Sequence, residues 1–252
     1  MSAVPVTLDP RLDLSQEKDQ LWITLNDPAT KNALDEKLTS ALASAIEESS
    51  SPILVITGKN GAFSSGGRLD VVAQLAERAE SHPAEVEHLI RKGGNLIEDI
   101  VFTPEISVAV VDGVCAGAGL GIALACDYLI ATPRSRFVTA YKKLRLTSDY
   151  GTHELLKLRI GPEHADQLMA ESPTILAKEA EKMGLVDTII DNPERKTIKR
   201  FLKEVTRRAT VLELPGDFSA RLDREAQDFV SALRHPKART KIAKALKRHK
   251  LS

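Results

Sequence analysis

Two stretches of this 252-residue chain place glycines where a strand should end and a helix begin. They are Ser64-Ser65-Gly66-Gly67 and the run from Asp112-Gly113 through Gly117, Gly119 and Gly121. Glycine lets the backbone turn sharply and come close to a ligand. The first N–H groups of a helix have no partner inside it, and the helix dipole favours negative charge there. Each turn therefore reads as a site for an oxyanion or a phosphate. If the turns follow two buried parallel strands, their N–H groups converge, and convergent donors stabilise charge developing on a carbonyl oxygen. The plainer reading of either turn is close helix–strand packing. A phosphate cradle has less behind it: GxxxxGK[ST] is absent, and Gly117 to Ile122 lacks an acid placed downstream for a ribose.

Three side chains join these turns as candidates. Asp149 precedes a helical run expected over 150–158, so it reads as an N-cap worth about 1 kcal/mol. His153 falls one helical turn later, where it could meet Asp149 or simply face solvent. Cys115 and Cys126 are the only cysteines. One helix should carry both, roughly 16 Å apart, beyond disulfide reach. Reduced thiols fit a cytosolic protein, and nothing cationic is placed to lower the Cys115 pKa.

The elements that must hold these groups alternate. Strands are expected at Leu21–Leu25, Ile53–Thr57, Ile106–Val111, Tyr128–Ala131, Arg136–Thr139 and Leu185–Ile190. Helices are expected from Glu36 to about Glu48 behind an Asp35 cap, after Asp70 as far as Pro83, over 84–102, from about Gly117 to Cys126, and from about Tyr150, Pro162 and Ile175. Alternation through the first two thirds predicts an α/β fold. From about Glu194 the texture turns mostly helical, which divides the chain into a core of residues 1–193 and a helical region of residues 194–252.

Composition narrows the function classes. Lysine plus arginine equals aspartate plus glutamate at 35 each, so no global basic field points to nucleic acid. The basic residues Arg239 to Lys250 read as a solvated helix face. Hydrophobic residues at 42% suffice for a sizeable core. The start, MSAVPVTLDPRLDL, lacks a cationic segment followed by an apolar one, so no signal peptide is expected. The longest uncharged run, Gly113–Cys126, is too short to span a bilayer. A cytoplasmic protein without a membrane partner is the expectation.

In order and spacing, LNDPATKNAL (25–34), GAFSSGGRLD (61–70), VDGVCAGAGLGIALACDYLIA (111–131), LRLTSDYGT (144–152) and AKEAEKMGLVDTII (177–190) resemble the crotonase, or enoyl-CoA hydratase/isomerase, superfamily. The ordered set covers about two thirds of the chain. The resemblance implies a spiral of ββα units with a helical C-terminal region, assembled as a trimer or a pair of trimers. It implies an acyl-CoA or acyl-carrier thioester as substrate, with coenzyme A part of the substrate and no prosthetic group or metal. The oxyanion donors would be the N–H groups of Gly67 and Ala118. Ser65, Gly66, Arg68, Leu69 and Asp70 would lie along the coenzyme A arm with Gly117 nearby, and Lys31 would contact a phosphate.

The hydratases of that superfamily use two glutamates, whose places fall here on Gly121 and Tyr141. Neither can act as a carboxylate base, so ordinary hydration is not expected. Asp149 falls where dienoyl-CoA isomerases keep a proton-transferring aspartate and where 4-chlorobenzoyl-CoA dehalogenase keeps its nucleophile. The dehalogenase also continues its turn with Gly-Leu-Gly-Ile, as Gly119 to Ile122 do, and carries an aromatic at Tyr141. Its histidine base falls on Gly94; His82 and His88 do not match that place. Tyr141 could bond the substrate or form a wall. Three readings follow: a thioester enzyme using Asp149 for isomerisation, C–C cleavage or hydrolytic substitution; a weakly active or inactive partner that activates another enzyme; and a coenzyme A-independent enzyme of the same fold.

Overall fold

The computed structural model describes residues 9–205 and 214–249. Strands β1 (Leu12–Glu17) and β2 (Gln20–Leu25) form an antiparallel hairpin. Helix α1 (Glu36–Glu47) follows, and Asp35 caps it as expected by accepting the Leu38 N–H at 2.9 Å. The pattern then repeats. First come β3 (Ile53–Gly58), β4 (Ala62–Ser64), α2 (Leu69–Ser81) and α3 (Pro83–Phe102). Next are β5 (Ile106–Val111), β6 (Val114–Ala116) and α4 (Ala118–Ala125). Then follow β7 (Tyr128–Ala131), β8 (Arg136–Val138), α5 (Tyr141–Leu144), α6 (Thr152–Ile160) and α7 (Pro162–Glu171). The chain ends with β9 (Ile175–Leu176), α8 (Ala177–Lys182), β10 (Thr188–Ile189), α9 (Arg195–Val205), α10 (Phe218–Arg234) and α11 (Pro236–His249).

Each repeat divides its strands between two sheets. The first strands, β3, β5 and β7, lie in a six-stranded sheet of order β1-β2-β3-β5-β7-β10, and the second strands, β4, β6 and β8, in a four-stranded sheet of order β4-β6-β8-β9. This is the spiral of ββα units that the motifs predicted. Side chains alternate across the large sheet, as the period of two requires. Leu21, Ile23, Ala109 and Val111 face the main core, while Trp22, Val108 and Val110 face a second cluster closed by Ile198 and Leu202 of α9. Cover on both faces explains why β3 and β5 read as unbroken apolar runs.

Where the chain passes from one sheet to the other it needs glycine. Gly113 has φ +98°, and a Cβ there would overlap the carbonyl oxygen of Gly61 in the preceding crossover. The C-terminal helices pack back on this spiral. Phe218 and Leu222 of α10 join the main core, and Phe229, Val230 and Ile242 share a cluster with Ala76, Ile90 and Tyr141.

Several boundaries differ from the sequence expectation. β1, β4 and β6 were not expected; the last two are three residues each, too short to show a period. The expected strand 185–190 contracts to Thr188–Ile189, and the expected helix at Ile175 starts at Ala177 because Ile175 pairs with β8. The two cysteines do not share a helix: Cys115 lies on β6, and Cys126 follows α4. Helix α6 starts at Thr152, not Tyr150, because Tyr150 (φ +52°) and Gly151 (φ +62°) are left-handed. No helix among the described residues is long and apolar enough to cross a membrane.

The crossover contact makes Gly113→Ala costly. It should lower the unfolding free energy by about 3 kcal/mol, overpacking and backbone strain together. Gly216→Ala, with open space around the position, should change it by well under 1 kcal/mol. Urea denaturation of the two variants tests this, and equal midpoints would contradict it.

Candidate active site

β4 and β6 are adjacent parallel strands, with Ser64 opposite Cys115, so the glycine turns that follow them meet. A Cβ on Gly66 (φ +90°) would sit 2.8 Å from the Ala116 oxygen and 3.5 Å from Gly117 Cα. Only glycine permits that approach. Hydroxyls fix the first turn: Ser64 Oγ accepts the Gly66 N–H at 3.1 Å and donates to the Asn32 carbonyl at 2.7 Å, and Ser65 Oγ donates to the Thr30 carbonyl at 2.8 Å. In the second turn the Gly117 N–H is bonded to the Val138 carbonyl at 3.0 Å. The N–H groups of Gly67 and Ala118 have no partner among the described residues. Gly67 is exposed and Ala118 is buried.

Gly67 lies on the wall of a cavity of about 180 Å³. Its lining includes the apolar Val71, Leu75, Ile90 and Phe229, the charged Asp35, Glu36, Arg68, Arg78, Lys92 and Asp149, and Tyr150. Ala118 and Tyr141 are not on this wall. Tyr141 is buried, and its hydroxyl donates to Asp149 Oδ1 at 2.7 Å. It therefore acts on Asp149 rather than forming the cavity wall that sequence allowed. Burial pushes the Asp149 carboxyl up to about 6, with the Tyr141 hydrogen bond pulling the other way. The carboxyl does not cap α6, whose N-cap is Gly151; the Asp149 carbonyl instead accepts the Thr152 hydroxyl at 2.8 Å.

Glu225 of α10 grips the same loop from behind. It accepts from Ser148 Oγ at 2.6 Å and from the Gly151 N–H at 2.7 Å. Burial, with the Asp149 charge adding to it, pushes this carboxyl up to about 7.

The model of the enoyl-CoA hydratase/isomerase family matches residues 17–228. The chain belongs to that family. Among relatives, YhaR of Bacillus subtilis is 30% identical over 66% of this chain and 64% of its own. The mouse mitochondrial methylglutaconyl-CoA hydratase is 30% identical over 64% of this chain and 51% of its own. The trans-2-decenoyl-[acyl-carrier-protein] isomerase of Streptococcus mutans is 32% identical over 69% and 66%. The chain thus spans about half to two thirds of these curated relatives. Among solved structures, an enoyl-CoA hydratase from Bacillus halodurans superposes with TM-score 0.82 at 26% identity, covering 93% of this chain and 99% of that one. A Thermobifida fusca protein solved in complex with CoA gives 0.73 at 21%, covering 100% and 98%.

The two glycines on which the resemblance places a hydratase glutamate and the dehalogenase histidine, Gly121 and Gly94, are crowded. A Cβ on Gly121 would lie 2.5 Å from the Tyr150 oxygen and 2.8 Å from Thr152 Oγ1, so a glutamate has no room. A Cβ on Gly94 would meet the end of the Arg91 side chain at 2.9 Å and Leu222 Cβ at 3.3 Å, so a side chain there would need both to shift. His153 pairs with Asp166 at 2.7 Å, not with Asp149. Arg68 is engaged by Asp70 at 2.6 Å and Asp35 at 3.1 Å, so the coenzyme A loop expected at 65–70 carries a neutralised cation. Leu69 opens α2. Lys31 is exposed, and its carbonyl accepts the Ser65 N–H at 3.0 Å, which puts it beside the first turn. Both thiols are buried, and desolvation pushes them up, away from the thiolate. No metal-ligating cluster occurs among the described residues.

Sequence reasoning missed Tyr150 and Glu225. A signal existed for each: paired glycines inside a long helix at Gly93-Gly94, and a carboxylate next to the apolar stripe Leu222, Ala226, Phe229.

A carboxyl raised on folding keeps its proton in the folded state where the unfolded chain has lost it, so its contribution to stability falls as pH rises. For Glu225 that window runs from 4.5 to about 7. Glu225→Gln removes this penalty along with one hydrogen bond. Its stability relative to wild type should therefore improve by about 3 kcal/mol between pH 4.5 and 7.5. Urea titrations at a series of pH values measure this, and a difference constant with pH would rule it out.

Proposed function

We propose that this chain is an enzyme that transfers a proton on an acyl thioester carried by coenzyme A or an acyl carrier. The carrying observation is one cavity lined by both Gly67, whose N–H has no partner among the described residues, and Asp149. In this reading the Gly67 N–H binds the thioester oxygen as it becomes an enolate, and the Ala118 N–H, which lies outside the cavity lining, is the second donor that the family resemblance assigns. Such preorganised donors cost nothing to orient at the moment of reaction, and each is worth about 3 kcal/mol. Asp149 takes the α-proton. A carboxyl at about 6 is ionised at neutral pH yet basic enough to accept a proton, which is the compromise general-base catalysis favours.

One carboxyl suits isomerisation best, because the same group removes a proton from one carbon and returns it to another. C–C cleavage and hydrolytic substitution also need only one carboxylate. Hydration needs an acid and a base, and the place of the first glutamate is filled by Tyr150 and Thr152. The Streptococcus mutans relative, named as an isomerase, is consistent with this choice. Tyr141 steadies ionised Asp149, and Lys31 with residues 65–70 and Gly117 would lie along the carrier arm. Exposed Phe102 and Leu176 would suit burial in a homotrimer or a pair of trimers.

Purified protein incubated with 2- and 3-enoyl-CoA esters, with products separated chromatographically, should interconvert the double-bond isomers without adding water. Asp149→Asn should lower kcat by about 10²–10⁴ while thioester affinity changes only a few-fold. The wild-type rate should rise with pH through about 6. Unchanged turnover in Asp149→Asn would remove the assigned role, and absence of turnover by wild type would favour the partner-protein reading. Gly121→Glu should fail to install hydration and should cost about 3 kcal/mol of stability, read from thermal melts.

A further inference from the structure

Tyr150 is a bulky residue held in the left-handed region, at φ +52°. Non-glycine residues at such angles cluster where function demands the strain. The rest of the chain has made room for it. A side chain on Gly93 of α3 would run into its ring, and one on Gly121 of α4 would meet its backbone oxygen at 2.5 Å and its Cβ at 2.9 Å. Its hydroxyl is fixed as well. Thr39 Oγ1 donates to the Asp35 carbonyl at 2.9 Å, so the Tyr150 hydroxyl, 2.7 Å from Thr39 Oγ1, is the donor to it. The ring is thus pinned at both ends between the cavity and the buried glycines of α3 and α4.

We propose that Tyr150 closes the inner end of the cavity and limits the acyl group to a short chain or a single ring of about six carbons. This rests on the thioester reading above and adds its size class. The cavity holds about 180 Å³, and a cavity of about 150 Å³ accepts benzene. Val71, Leu75, Ile90 and Phe229 in its lining offer an acyl chain apolar contact, beside the charged Asp35, Glu36, Arg68, Arg78, Lys92 and Asp149. Removing the Tyr150 ring, itself about the size of benzene, would roughly double the space and extend it toward Gly93, which lies against the ring.

The test is a calorimetric binding series of saturated acyl-CoA esters from acetyl to dodecanoyl. Affinity of the wild type should rise about fourfold per added methylene up to about six carbons, then level or fall. Tyr150→Gly and Tyr150→Asn both tolerate left-handed φ and should carry the rise on to about ten carbons. Tyr150→Phe keeps the ring and should keep the wild-type limit. A limit unmoved in both ring-deleted variants overturns the proposal while leaving the thioester reading intact. A wild-type series with no break near six carbons overturns it without any variant. Failure of every ester to bind overturns both together.

Discussion

The contact between the Gly66 and Gly117 turns is the constraint on which the rest of this site depends. Two backbone segments approach within a distance that no Cβ would allow, and both are at the ends of neighbouring strands in the small sheet. That approach requires β4 and β6 to be side by side, which requires each repeat to send one strand to each sheet. The fold is thus organised so that two short strands, each unremarkable alone, end at the same place. The large sheet with its two covered faces provides the rigidity, and the crossovers at Gly61 and Gly113 provide the geometry.

Side chains are arranged around that fixed backbone in a different way. Asp149 is not held by a regular element. It sits in a loop gripped from one side by Tyr141, on the short helix α5, and from the other by Glu225, on α10. The C-terminal helices therefore do more than cover apolar surface. They fix the loop that carries the only carboxylate of the proposed chemistry, and they place a second carboxyl near enough for the Asp149 charge to oppose its ionisation. Dehydration of the loop and the Tyr141 hydroxyl act in opposite directions on Asp149, and dehydration prevails. A basic carboxylate is the result.

What the sequence made legible follows from locality. Asp35 before an amphipathic run announced its cap, and the apolar runs at 53–57 and 106–111 announced buried parallel strands, because both signals lie within a few residues. The glycine turns were legible because their neighbours in sequence were also their neighbours in space. β4 and β6 were not, since three residues carry no period. Glu225 and Asp149 are 76 positions apart in number yet share a loop's anchoring, and nothing local marks such a pair. The expectation that Asp149 caps a helix failed for a physical reason: two consecutive left-handed residues, Tyr150 and Gly151, delay the helix until Thr152.

Those left-handed residues also explain why the absent glutamates are a coherent change and not a simple loss. With Gly121 bare, the chain at Tyr150 can fold over α4; with Gly93 bare, the Tyr150 ring can lie against α3. A side chain at either glycine would expel the tyrosine, and the tyrosine excludes a glutamate at 121. The two arrangements are mutually exclusive at the level of van der Waals contact. Next to this packed Tyr150, Tyr141 and Glu225 hold the Asp149 loop by hydrogen bonds. The proposed chemistry with one carboxylate and the proposed short cavity would then both follow from the same packing.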